Sequence, residues 1–283
     1  MSVTEATAYE PVTSTVDHGT TRDGLVQLRR RWQPAGAPKA AVLLLHGIAE
    51  HSGRYEHVGR RMADNGYDVV AIDHRGYGGS GGRRGHVDSW VQFCGDVEDQ
   101  MREISALDIP TVLLGHSMGG LIATRYVVEQ LIQPDLLVLS GPALGADIPT
   151  HLRIAAPLLG RILPRLEIKE DGDPAQLSRD PAVGEVFYAD PYRVPYPTAR
   201  LGMELMKAIE DARAGIANVT MPTLVQHGGD DTLVPVDASE IFETLPNVTR
   251  IVYDDLRHEI YNEPERAGII DEMIAWVDDN LPV

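Results

Sequence analysis

Apolar residues fall in short, nearly unbroken runs at 41–45, 67–72, 111–114, 136–139, 223–226 and 250–253, set off by Gly, Pro and Asp. Runs of this kind predict strands covered on both faces, and hence a parallel sheet. Between the first two, Tyr55, Val58 and Met62 recur at helical spacing within 53–65, with Gly66 as a stop. Residues 13–32 read as a polar hairpin turning around 19–24. Near the end, Pro264 is placed to open a helix whose apolar stripe is Ile270, Met273, Ile274 and Val277. Alternation of strand and helix predicts a doubly wound α/β fold.

One interval breaks the rhythm. From 145 to 215 there is no convincing strand and prolines are frequent. That is too long for a plain loop, so a helical cap is predicted there, inserted before the strand at 223–226 and lying over the sheet edge where α/β folds bind ligands. The expected division is a core from 1–144 and 216–283 with the cap at 145–215.

Composition narrows the function. A chain of 283 residues with 43% hydrophobic and 24% charged positions can build a large globular core as a single unit. A net charge of −17 argues against a nucleic-acid partner and against adsorption of the whole surface to an anionic membrane. Cys94 is the single cysteine, so neither an intrachain disulfide nor a CxxC metal site is available. The first twenty residues are polar and no apolar run approaches a membrane span; the expectation is a cytoplasmic enzyme.

The run ending at 114 leads into Gly115-His116-Ser117-Met118-Gly119, and a helix is expected from Leu121. A strand that becomes a helix within one residue forces a strained backbone, with room only for small neighbours two positions away. That is the geometry of a G-x-S-x-G nucleophile elbow; a simple Gly/Ser turn is the bland alternative. A serine hydroxyl is almost never ionised at neutral pH and reacts only when an imidazole takes its proton. In hydrolase order the acid and then the histidine follow the serine, on loops after later strands. HGGDDTLVP (227–235) supplies Asp230 and Asp231, and DDLRHEIYNEP (254–264) supplies His258. The H-G-x turn His46-Gly47-Ile48 can aim the Ile48 amide at a developing oxyanion, with the Met118 amide as second donor. Each such donor is worth about 3 kcal/mol in a transition state.

The runs HGIAEHSGRY (46–55), DHRGYGGSGGRRG (73–85), GHSMGG (115–120), LSRDP (177–181) and HGGDDTLV (227–234) resemble the monoacylglycerol lipase group of α/β hydrolases. The resemblance runs in order and with similar spacing over nearly the whole chain. Position by position it implies Ser117 as nucleophile, Asp231 as acid, His258 as base, and Ile48 and Met118 as oxyanion amides. It also implies Glu50 and Arg54 near the polar head-group end of the pocket and Tyr188 as a cap tyrosine touching glycerol. One position departs: where the family often has a second histidine three residues beyond the base, Tyr261 stands, which bears on head-group recognition. The implied activity is cleavage of monoacylglycerols to glycerol and fatty acid through an acyl-enzyme, with no metal or organic cofactor. Other readings are a lysophospholipase or general carboxylesterase, an aminopeptidase or haloperoxidase on the same scaffold, and a non-catalytic ligand receptor. The complete triad argues against the last.

Several stretches carry bland readings beside functional ones. Residues 76–81 match G-x-G-x-x-G, but a dinucleotide site requires a helix to open at once, and none is expected before about Ser89. His46 and His51 lack a third metal ligand nearby, and His46 is better read as bracing the oxyanion turn. His116 reads as structural and Cys94 as a small buried hydrophobe. Glu50 and Arg54 fit a local ion pair as well as a substrate role. Cap residues 151–166 (HLRIAAPLLGRILPRL) combine apolar and arginine positions without an acid. They read either as a packed cap helix or as a rim that transiently touches membrane or lipid-droplet surfaces.

Overall fold

The computed structural model describes residues 14–129, 131–145, 150–169 and 172–282. The polar hairpin is β1 (Thr15–Thr20) and β2 (Val26–Trp32). The six apolar runs follow as β3 (Ala40–Leu45), β4 (Tyr67–Ile72), β5 (Thr111–His116), β6 (Leu136–Ser140), β7 (Thr223–Gly228) and β8 (Val248–Tyr253). They form one sheet in the order β1-β2-β4-β3-β5-β6-β7-β8. The pairs β1/β2 and β2/β4 are antiparallel and the others parallel.

Both faces of the central strands are covered, which is why their sequences are apolar without alternation. Leu43, Leu45, Leu113 and Leu139 face α2 (Trp90–Ser105) and α3 (Met118–Val128) through Phe93, Val97, Leu121 and Tyr126. Val42, Leu44, Val112 and Val138 face α1 (Glu56–Asp64) and the C-terminal helix through Val58, Met62, Met273 and Val277. Side chains alternate across a pleat, so every second residue serves the opposite core.

Between β6 and β7 lie α4 (Thr150–Ile162), α5 (Pro181–Ala189) and α6 (Ala199–Ala214), with an isolated bridge between Glu167 and Thr198. The strand-free interval is thus helical, and α6 also sends Leu201, Ala208 and Ala212 into the α2/α3 core. In α4 the side chains of 150–155 lie outside the described residues. Beyond them, Leu158, Ile162 and Leu163 are 59%, 65% and 51% exposed, whereas Leu159 turns into the cavity described below. The apolar rim expected of 151–166 is therefore split between two environments.

The C-terminal helix, α7 (Arg266–Asn280), begins two residues later than Pro264 suggests. The cause is Glu263, which is fully buried and accepts from the backbone N–H of Arg257 (2.7 Å) and Arg179 (3.0 Å) and from the Ser178 hydroxyl (3.1 Å). The chain must close that junction before a helix can start. The glycine-rich stretch at 76–81 wraps the Asp73 carboxylate, which accepts from Ser52 N (2.8 Å) and Gly79 N (2.7 Å); the next helix waits until Trp90, capped by Ser89. Among the described residues no helix is long and apolar enough to cross a membrane, and no three or more His, Cys, Asp or Glu side chains are grouped to hold a metal.

Candidate active site

Ser117 directly follows β5 and caps α3, with φ at 51° in the left-handed region that a residue bearing Cβ seldom adopts. The flanking glycines are required by contact: a Cβ at Gly115 would strike the Gly119 carbonyl, and one at Gly119 would strike the carbonyl of Leu45. Ser117 N–H still donates to Ser140 O (3.0 Å), so the strained residue is pinned to the sheet. Helix α3 leaves its first amide, that of Met118, without an intrahelical acceptor.

The loops after β7 and β8 bring Asp231 and His258 together. His258 Nδ1 lies 2.6 Å from Asp231 Oδ2, and both residues are buried. Asp230 points elsewhere: it is exposed, and its N–H is spent on Leu256 O. The other Asp231 oxygen accepts from the Leu233 and Val234 amides, each at 2.9 Å. His227 Nε2 adds a contact at 3.2 Å while also facing Val234 O at 3.0 Å; two acceptors at one nitrogen place the proton there. Burial alone would raise the Asp231 pKa, but His258, His227 and these amides hold it well below the usual carboxylate range. Burial alone would lower that of His258, but the Asp231 carboxylate, with Glu259 and Glu50 behind it, outweighs it, so its pKa is raised above 6.5. The His116 ring lies tilted against that of His258, centroids 4.8 Å apart, and bonds Ser140 Oγ at 3.1 Å; burial and then the His258 charge push its pKa down to about 4.

The turn after β3 carries Gly47 and Ile48. His46 Nδ1 is 2.7 Å from Gly47 O, and its Nε2 accepts from His74 N at 2.9 Å, so His46 braces this turn. Glu50 braces it from the other side, accepting from Gly47 N and from Tyr55 OH (2.7 Å). Arg54 then joins Glu50 (2.6 Å) to Glu259 (2.6 and 2.7 Å), the residue next to the base. The local ion pair is real, but it is part of a buried bridge between the oxyanion turn and the base loop. His51, the other histidine of the motif, bonds Asp190 at 2.9 Å instead.

Ser117, His258, Ile48, Met118, Glu50 and Tyr188 all line one cavity of about 440 Å³. Arg54 does not line it. Away from Ser117 the walls are apolar, with Leu159, Leu205, Met206, Ile209 and Leu233 contributed by α4, α6 and the acid loop.

Residues 36–265 match the family described as serine aminopeptidase, S33. The monoacylglycerol lipase of Mycolicibacterium smegmatis is 37% identical over 262 residues, spanning 88% of this chain and 92% of the relative. The chain belongs to the monoacylglycerol lipase family of α/β hydrolases. The crystal structure of the Paleococcus ferrophilus monoacylglycerol lipase superimposes with a TM-score of 0.82 at 30% identity, covering 89% of this chain and 98% of that one. Phospholipase YtpA of Bacillus subtilis is 32% identical over 257 residues, 87% of this chain and 98% of the relative. Family membership makes this chain a carboxylic ester hydrolase.

Within this α/β hydrolase the substitution of Tyr261 for the family's second histidine falls outside the cavity lining. Tyr261 is buried, and its hydroxyl donates to Gln226 Oε1 at 2.7 Å within the α1/α7 core. Sequence reasoning passed over His227, Glu259 and Glu263. Each adjoins a motif, His227 opening HGGDD and Glu259 following the base, but only the fold shows that their side chains turn inward.

Proposed function

We propose that the protein hydrolyses monoacylglycerols, with Ser117 as nucleophile, His258 as the base that shuttles its proton, and Asp231 as the group that fixes the imidazole and stabilises its cation. The observation that carries this reading is the Asp231–His258 pair, whose histidine shares an apolar-walled cavity with a serine held at an elbow. Amides of Ile48 and Met118 receive the oxyanion. Segment 145–215 serves as the cap, and its apolar wall takes the acyl chain. Glu50 and Tyr188 meet the glycerol head, while Arg54 contributes by holding Glu50 in place. A site that bonds two glycerol hydroxyls leaves those protein groups unpaired when the hydroxyls are esterified. At equal chain length, kcat/KM should therefore fall by at least about tenfold from mono- to diacylglycerol, with triacylglycerol hardly cleaved. Comparable rates on triacylglycerol would replace this reading with a general lipase, and absence of ester cleavage would leave the receptor reading.

The raised His258 pKa gives a pH test. The base must be neutral to accept the Ser117 proton, so activity is present above its pKa and is lost as pH falls through it. Burial opposes the protonated ring, and Asp231, Glu259 and Glu50 together favour it more strongly. The acid limb of kcat/KM should accordingly have its midpoint above 6.5; a midpoint below that value would show that the carboxylates do not govern the base.

The exposed face of α4 is proposed to touch lipid surfaces transiently. Leu158 and Ile162 lie one turn apart on it, and Arg161 and Arg165 are exposed nearby. Leu158→Asp with Ile162→Asp should lower hydrolysis of dispersed monoacylglycerol while sparing a soluble p-nitrophenyl ester. Equal losses on both substrates would assign the face a purely structural role.

A further inference from the structure

Arg193 is a cavity-lining charge whose Nε–H finds no acceptor among the described residues. Its Nε–H is buried without a hydrogen-bond partner, and no carboxylate among the described residues lies within ion-pair reach. The other lining charges are engaged. Glu50 is taken by Gly47, Tyr55 and Arg54, Glu259 by Arg54 and Asn262, and His258 by Asp231. Asp173, at the exposed rim, caps a short helical turn through Ala175 N.

The guanidinium is held in place. Its carbon sits 4.3 Å from the Tyr188 ring centroid and 5.0 Å from that of Phe187, two rings that themselves pack edge to face at 5.3 Å. The chain beside it is tied to the oxyanion turn, since Val194 N donates to Ala49 O at 3.1 Å, one residue beyond Ile48. Arg193 is thus on the side where the alcohol portion of an ester would leave, and not among the α4 and α6 side chains of the apolar wall.

A buried donor without an acceptor is costly and calls for a missing partner, here at Nε–H. A neutral glycerol head needs no cation, whereas a planar guanidinium fork matches a phosphate in two-point contact. We infer that Arg193 receives the phosphate of an anionic head group, so that the site also takes monoacyl esters of glycerol phosphate. This inference rests on the ester-hydrolase reading above. The chemistry is the same: Ser117 Oγ attacks the acyl carbonyl and its proton passes to His258. The bond from the acyl carbon to the glycerol oxygen then breaks, and that oxygen takes the proton from His258, so glycerol phosphate leaves. Water then cleaves the acyl-enzyme to fatty acid and free serine, and the phosphate ester is untouched.

The test measures kcat/KM for 1-lauroylglycerol, 1-lauroylglycerol 3-phosphate and 1-lauroylglycerophosphocholine, all kept monomeric, on wild type, Arg193→Met and Arg193→Lys. Wild type should cleave the phosphate monoester, and Arg193→Met should lower the ratio of phosphate to neutral substrate about 10- to 100-fold, as expected for lost bonds to a charged group. Arg193→Lys should recover part of the ratio, and added salt should depress the wild-type rate on the phosphate substrate more than on the neutral one. A parallel fall on the choline ester would show that any phosphate suffices; a fall confined to the monoester would show that the dianion is read. An unchanged ratio in Arg193→Met, or wild type that cleaves the neutral ester and not the phosphate, overturns the inference. Failure on the neutral ester as well would overturn the monoacylglycerol reading itself. Labelling of each variant by a fluorophosphonate confirms that its site is folded.

Discussion

Ser117→Ala is expected to reduce ester hydrolysis by about 10⁵- to 10⁶-fold, the scale on which removal of a nucleophile acts in serine hydrolases. The change deletes one oxygen from a residue whose backbone is fixed by the turn itself. Alanine has the same Cβ and meets the same strain at a φ of 51°, so the elbow should keep its geometry. Ser117 N–H donates to Ser140 whatever the side chain is, and the glycines at 115 and 119 still permit the close approach. The thermal midpoint should consequently shift little while activity disappears. A fluorophosphonate should label wild type once and the variant not at all; labelling of the variant, or retained turnover, would remove Ser117 from its role.

The second large effect separates two adjacent aspartates. Asp231→Asn should lower kcat by about 10⁴-fold, because an amide in place of the carboxylate no longer stabilises the imidazolium and can present its NH₂ to His258 Nδ1, favouring the wrong tautomer. The same substitution leaves His227 Nε2–H facing a weaker acceptor, and the Leu233 and Val234 amides lose a charged one. A stability loss should therefore accompany the kinetic one. Asp230→Asn changes an exposed side chain whose backbone alone is tied down, and should stay within about threefold of wild type. The reverse ranking would transfer the acid's role to Asp230.

Much of this is legible in the sequence. Continuous apolar runs gave the central strands to within a few residues because burial on both faces leaves no polar alternation to misread. The elbow was legible because its glycines are a steric necessity. Asp231 and Asp230 were not separable from the residues alone, since both follow the same strand; the likeness in spacing chose Asp231, and the fold shows which carboxylate faces His258. Composition alone grouped Leu158 and Leu159 in one rim, but consecutive residues on a helix are about 100° apart, and the cavity wall claims Leu159. Glu259 and Glu263 were invisible because a buried carboxylate is betrayed only by its partners, here Arg54, 205 residues before Glu259, and residues 178–179 in the cap.

The junction at Glu263 has a consequence for how such proteins can be recombined. Glu259 N donates to Leu177 O at 2.8 Å, and Arg257 reaches back to Ser178 O at 3.0 Å, so LSRDP and the base loop share one set of bonds. The cap is contiguous in sequence but is not an interchangeable cassette. A chimera that takes the whole insertion from another family member imports foreign partners for Glu263 and disturbs His258 from a distance. Crossovers placed so that 177–181 and 257–263 come from the same parent preserve that pairing. Homologous shuffling should recover active chimeras mainly among the progeny that inherit the two segments together.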